Sequence, residues 1–268
     1  SQFMTEMLLS LGLEDNIVAT ALLDNPILPE FKEAYDKIPV LQVGEGHSIS
    51  KEAFIATGAD FVSGWDSSIS EQTTGSPDEL ISKGIVPFLA KSYEADATID
   101  DVYEDFRLLG KIFNVEDRAN EVIEKMKADI KSVNDKIKNI NKEDRVQMMV
   151  FDSGVNDAFV VGSGLANDLI NLAGGNNVYS EEATKPYITV SFESIVAKNP
   201  EVILVTDFEA GTNPEEKIEF LKSHPALKDV DAIKNNKIYV VQLADLSPGV
   251  RNPMIIEKMH GYFYGDNK

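Results

Sequence analysis

Residues 116–140 read EDRANEVIEKMKADIKSVNDKIKNI. Apolar side chains fall at Ala119, Val122, Ile123, Met126, Ile130, Val133, Ile137 and Ile140, mostly three or four positions apart, the spacing of one face of an α-helix. The opposite face is rich in Lys, Glu and Asp, so the helix lies along a surface instead of running through a core. At about 1.5 Å per residue it is ~37 Å long. A helix of this kind near mid-chain serves as a coiled-coil arm, as a strut joining two lobes, or as an ordinary surface helix.

On both sides of it, short β-rich runs alternate with helical patterns, which points to parallel sheets of an α/β fold. The runs predict strands over Ile38–Val43, Asp60–Trp65, Ile85–Ala90, Val146–Asp152, Ala158–Val161, Glu201–Asp207 and Lys237–Leu243. Helices are predicted over Thr5–Leu11, Ser50–Thr57, Pro77–Lys83, Ile99–Phe113, Glu116–Ile140, Leu165–Ala173, Ser191–Lys198, Glu216–Lys222, Ala226–Asn235 and Pro253–Tyr264. Ser76-Pro77-Asp78-Glu79 is a helix start, with Ser as N-cap and Pro in the first turn. Ala173-Gly174-Gly175-Asn176 is a helix stop. A weak internal repeat supports two lobes. Residues 50–66, SKEAFIATGADFVSGWD, align without gaps on residues 191–207, SFESIVAKNPEVILVTD. Each copy is a Ser-capped helix, a turn and an apolar strand ending in Asp. Glu52 and Glu193 share one position in the first helical turn, where a carboxylate complements the helix dipole.

The chain has 268 residues, 43% of them hydrophobic and 26% charged, a globular composition with room for one large domain or two lobes. Its 45 acidic against 25 basic residues give a formal charge of −20, which opposes nucleic-acid binding. The absence of cysteine excludes disulfides, thiolate metal sites and a Cys nucleophile. No apolar run approaches the ~18–20 residues of a membrane span. The sequence opens at Ser1-Gln2-Phe3-Met4-Thr5-Glu6, already inside a helical pattern, so further residues are expected upstream.

Catalytic motifs are missing: there is no HExxH, GxSxG, P-loop or GxGxxG. Gly162-Ser163-Gly164 is half of a dinucleotide fingerprint or simply a turn before a helix. His47, His224 and His260 have no metal-ligand spacing. The pairs Asp100/Asp101 and Glu181/Glu182 read as solvated faces. In open α/β sheets ligands bind beyond the carboxyl ends of strands. Trp65, the only Trp, ends one predicted strand, and Lys91-Ser92-Tyr93 follows another. Phe159 follows the loop 152–157, Tyr187 precedes a helix, and Arg251 follows the last strand. Each is also a plausible packing residue. Together they predict an aromatic-lined cleft with one or two cations.

Thr5–Val18, Ser50–Trp65, Thr98–Asn114 running into the long helix, Phe159–Tyr179, Val190–Val205 and His224–Tyr239 resemble, in order, the metal-chelate class of ABC-transporter substrate-binding proteins. That resemblance implies two Rossmann-like lobes with parallel sheets, bridged by a single long α-helix, with the ligand cleft between them. It divides the chain into a lobe at 1–115 with its first strand missing, a bridging helix at 116–141, and a lobe at 142–268. It implies no enzymatic activity, no cofactor of its own and no protein metal ligands. Glu52 and Glu193 match lobe-surface glutamates that meet an ABC permease dimer, itself coupled to an ATPase. Trp65, Tyr187 and Phe159 match cleft walls, Arg251 lies near a ligand-facing Arg, and Tyr93 is placed only by its strand-end position. The expected ligand is an Fe(III)-siderophore, with Arg251 and Lys91 neutralising an anionic chelate. Cobalamin or another corrinoid, and haem with His47 or Tyr93 as axial ligand, are the alternatives within the class. An enzyme or metallo-cofactor scaffold on a similar fold is the rival outside it, and would use Cys or clustered His. The expected form is a monomer outside the cytoplasmic membrane, lipid-anchored as in Gram-positive bacteria, or alternatively periplasmic.

Overall fold

A computed structural model describes residues 1–44 and 49–265. The first half contains α1 (Gln2–Ser10), α2 (Lys32–Tyr35), α3 (Lys51–Ala56), β1 (Phe61–Ser63), α4 (Pro77–Ser82), β2 (Val86–Phe88) and α5 (Ile99–Phe113). The long helix α6 (Glu116–Ile137) follows. The second half contains β3 (Val146–Ser153), β4 (Ala158–Val161), α7 (Leu165–Leu172), β5 (Gly175–Asn177), β6 (Tyr187–Val190) and α8 (Phe192–Lys198). It ends with β7 (Val202–Asp207), α9 (Pro214–Ser223), α10 (Asp231–Lys234), β8 (Ile238–Gln242), α11 (Leu243–Leu246) and α12 (Asn252–Tyr264).

The predicted stripe of α6 is its buried face. Ala119, Ile123, Met126, Ile130 and Val133 join a core with Val102, Phe106 and Leu109 of α5 and with Ile255, Ile256 and Met259 of α12. A Cβ on Gly110 would stand 2.8 Å from that of Ala119, so glycine is what lets α5 and α6 approach here. The helix therefore packs on elements from both halves. Its end at Ile137 leaves Ile140 in a turn.

Strands β1 and β2 pair in parallel. The larger sheet runs β6-β4-β3-β7-β8, with β5 also on β3. Alternate residues of its central strands serve two cores. Met148 and Val150 of β3 and Val202 and Leu204 of β7 face the α6 side. Met149, Phe151, Ile203 and Val205 face the other. A sheet covered on both faces needs continuous apolar strands, and these strands have them.

The α/β architecture with two lobes and a long connecting helix is as expected, but the sheet is parallel-rich rather than wholly parallel. β3 pairs antiparallel with β4, and β4 with β6. The loop between β3 and β4 is too short for a crossover, which takes a dozen or more residues. Its Gly154 has φ +107, and a Cβ there would fall 2.0 Å from the Asp157 carbonyl oxygen. Ile38–Val43 forms only isolated bridges, Val40 with Thr20 and Val43 with Ile49, because Pro39 has no N–H to extend a ladder. Of the helix expected over Ala226–Asn235 only α10 forms, since Val230 before it is extended. β5 and β6 were absent from the expected strands.

Ile123→Ala is expected to lower the unfolding free energy by about 2–5 kcal/mol in urea titrations, as for other buried large-to-small changes. A loss below about 1 kcal/mol, ordinary for a surface site, would show that α6 does not hold the two halves together.

Candidate functional site

Four aromatic side chains expected from the sequence, Trp65, Tyr93, Phe159 and Tyr187, line one cavity of about 270 Å³. Trp65 lies just beyond β1, its ring 4.8 Å from Phe3 and 4.9 Å from Tyr93 between centroids. Tyr93 sits in the turn after β2, and that turn is held from behind by Asp105 of α5. The Asp105 carboxylate accepts from the Lys91 and Ser92 backbone N–H groups at 3.0 and 2.9 Å and from the Ser92 hydroxyl at 2.5 Å. Burial nonetheless raises the Asp105 pKa.

The facing wall comes from the second half. Phe159 of β4 pairs with Thr189 and Tyr187 of β6 with Val161. The two rings are thus diagonal neighbours on one face of the sheet, a spacing within aromatic reach, and they stack at 5.3 Å with a 19° interplanar angle. Burial raises the Tyr93 phenol pKa, with Asp66 and Asp24 adding to the shift. Burial, then Asp152, does the same for Tyr187. Both phenols are therefore hydrogen-bond donors at neutral pH.

Asp24, Glu94 and Asp152 also line the cavity, together with Phe208 and Leu243. Asp152 is held by the Thr206 hydroxyl at 2.9 Å and the Ser153 hydroxyl at 3.0 Å. Asp152 and Phe208 stand at the ends of β3 and β7, where a search of strand ends would have found them. Asp24 follows no strand. It is carried by backbone bonds, its N–H donating to Gln2 Oε1 at 3.0 Å and its carbonyl accepting from Glu209 N–H at 2.8 Å.

The expected cations are elsewhere. Arg251 is only 4% exposed and does not line the cavity. Its guanidinium grips Glu6 of α1 at 2.7 and 2.8 Å and donates to Asp245 at 3.1 Å, to Gln242 at 2.9 Å and to the Pro26 carbonyl at 2.7 Å. A buried charge must be paired, and these partners take up the fork. Lys91 turns outward to Asp101 at 2.6 Å. His224 packs against Phe192 and Phe220, and His260 lies 3.1 Å from the Ala173 carbonyl. His47 lies outside the described residues.

Glu52 and Glu193 are exposed in matching places. Ser50 Oγ accepts from Ala53 N–H and Ser191 Oγ from Ser194 N–H, both at 3.2 Å. Ser50 also donates to Glu52 at 2.8 Å. The backbone N–H of Glu52, then Ser50, lowers the Glu52 pKa. The following strands begin at Phe61 and Val202, the same position in the two copies of the repeat. No helix among the described residues is long and apolar enough to cross a membrane.

The family described as periplasmic binding protein matches residues 1–242. The chain belongs to this family. It is a substrate-binding protein of the kind that serves ABC transporters, a class that works with a permease and an ATPase. A periplasmic binding protein of Veillonella parvula superposes with a TM-score of 0.91 at 28% identity, covering 100% of this chain and 90% of that one. An ABC-type Fe3+-hydroxamate transport system of Saccharomonospora viridis has the same fold, with a TM-score of 0.80 at 20% identity over 98% and 90% of the two chains. An uncharacterised ABC transporter substrate-binding lipoprotein of Bacillus subtilis is 23% identical over 238 residues, 88% of this chain and 69% of that protein.

Asp105→Asn would set an amide N–H₂ against a backbone N–H. It is expected to cost about 1–3 kcal/mol of stability, the penalty of an unsatisfied buried donor, and to shift Trp65 emission as the Tyr93 turn loosens. Unchanged stability and emission would show that Asp105 does not hold that turn. With both phenols raised, Trp65 emission is expected to stay flat from about pH 7.5 to about pH 9, above the Ser1 amino group at about 6 and below the ordinary tyrosine pKa of about 10. A titration step inside that range would contradict the assignment of both phenols as protonated.

Proposed function

We propose that this substrate-binding protein takes a ferric siderophore in the aromatic cavity and delivers it to an ABC permease. The observation that carries the reading is the convergence of Trp65 and Tyr93 from one half with Phe159 and Tyr187 from the other. Such rings offer large flat apolar faces at small entropic cost, and the phenols add hydrogen bonds at the rim. A cavity of about 270 Å³ is smaller than a whole siderophore complex, so the chelate seats one face on the rings and leaves the rest toward solvent. The siderophore supplies the iron ligands and the protein supplies the walls.

Haem fits less well. Its propionates would meet Asp24, Glu94 and Asp152, and the raised phenol pKa values oppose an axial tyrosinate. A corrinoid is the second reading, favoured by aromatic walls with no cation among the described lining residues. Catalysis forms no part of the proposed role.

In this reading residues 1–115 and 142–268 are the lobes and 116–141 joins them. Glu52 and Glu193, one per lobe in equivalent capped helices, meet arginines on the two halves of a permease dimer. The protein works as a monomer outside the cytoplasmic membrane, held there by a lipid anchor. Because α6 is continuous and packs on both halves, lobe motion on binding is small.

Titration of the lone Trp65 tests the ligand: saturable quenching is expected with a ferric hydroxamate. Quenching by a corrinoid or haem alone would overturn the siderophore assignment. Trp65→Ala is expected to weaken binding about tenfold or more, ~1.4 kcal/mol, with the fold intact by circular dichroism. Unchanged affinity would remove Trp65 from the binding wall. Glu52→Arg combined with Glu193→Arg is expected to abolish uptake and leave ligand affinity unchanged. Normal uptake, or a fall in affinity, would overturn the docking role.

A further inference from the structure

The charge around the cavity has one sign. Asp24, Glu94 and Asp152 come to its surface from three separate segments, and among the described residues no Lys or Arg lines it. The Lys and Arg side chains nearest it are already engaged, and burial lowers the Ser1 amino group beside Asp24 to a pKa of about 6, so that group is mostly neutral above about pH 7. Lys217 of α9 is 3% exposed, lies 4.8 Å from the Phe208 ring centroid and donates to the Thr206 carbonyl at 2.7 Å. It therefore sits behind the wall, where its electrostatic partners are Asp152 and Asp207. Arg251 is clasped by Glu6 and Asp245, so one cation with two carboxylates leaves that cluster net negative. Lys91 is paired with Asp101 outside the cavity. Asp66, near Tyr93, adds to the negative side.

The walls act in the same direction. The faces of Trp65, Tyr93, Phe159 and Tyr187 are electron-rich and attract a cation brought over them. A tilted Trp65–Tyr93 pair on one wall and a stacked Phe159–Tyr187 pair on the other, with carboxylates at the same cavity, make a surface that an anion meets with repulsion and a cation with attraction.

We propose that this cavity selects ferric chelates of net positive charge, and discriminates against anionic ones such as ferric catecholates and carboxylates. The inference rests on the siderophore reading and narrows it. Three hydroxamates, each losing one proton, neutralise Fe(III), so a linear trihydroxamate with a pendant ammonium group carries net charge +1. Its ammonium would lie toward Asp24, Asp152 or Glu94, and its organic rim against the rings.

The test uses three ferric trihydroxamates that differ only at the terminal amine: free, acetylated and succinylated, with net charges of +1, 0 and −1. Each is titrated against the intact chain by Trp65 quenching at low and at high salt. The expected order of affinity is free, then acetylated, then succinylated. About tenfold or more should separate the first from the last at low salt, and the gap should shrink at high salt as charges are screened. Glu94→Gln, a change at an exposed side chain, is expected to narrow the gap between the first and the last about two- to threefold. Binding of all three with equal affinity, or a preference for the anion, would overturn the charge selection and leave the siderophore reading standing. No binding by any of them, nor by a ferric catecholate or carboxylate titrated in the same way, would overturn both.

Discussion

The structure depends on the burial of one stripe of side chains on α6. Ile123, Met126, Ile130 and Val133 share a core with α5 from the first half and with α7, α12 and the inner faces of β3 and β7 from the second. Sliding the halves apart would expose this apolar surface at a cost of about 25 cal/mol per Å². Shorter ties cross near the cavity. Asn25 donates to the Asp207 carbonyl at 2.9 Å and accepts from Ala244 N–H at 3.0 Å. Asp168 of α7 accepts from Ile99 N–H at the start of α5 at 2.9 Å. Together these contacts fix where the two aromatic walls stand.

The buried ions tell a related story about charge. Arg251 is the conspicuous cation of the last loop, and its role is to staple α12 to α1 through Glu6. Paired Arg–carboxylate forks of this kind specify an arrangement as much as they stabilise it. Removing either partner would strand a charge in a nearly dry site. With Arg251 and Lys217 committed to structure, the cavity keeps the negative character that the overall composition of the chain favours.

Much of this was legible in the sequence because it rests on local periodicity. The α6 stripe, the Ser caps of α3 and α8 and the apolar runs of β3 and β7 each encode themselves within a few residues. The strand-end rule points to Trp65 and Tyr93, beyond β1 and β2, whereas Phe159 and Tyr187 lie within β4 and β6. The failures came where long-range partners decide. Nothing near Arg251 in sequence announces Glu6, and nothing near Asp24 announces the bond to Glu209 that sets it at the cavity. Gly175–Asn177 has turn composition and becomes a strand only because β3 offers it an edge. Pro39 was the overlooked local signal that kept Ile38–Val43 from being one.

The central claim is that a chelate is held between two aromatic walls without a protein cation. A crystal structure of the chain with a bound ferric trihydroxamate tests it most directly. The account predicts the chelate against Trp65 and Tyr93 on one side and Phe159 and Tyr187 on the other, with the Arg251–Glu6 pairing intact. A ligand seated outside these rings, or an Arg251 released from Glu6 to contact it, would contradict the account.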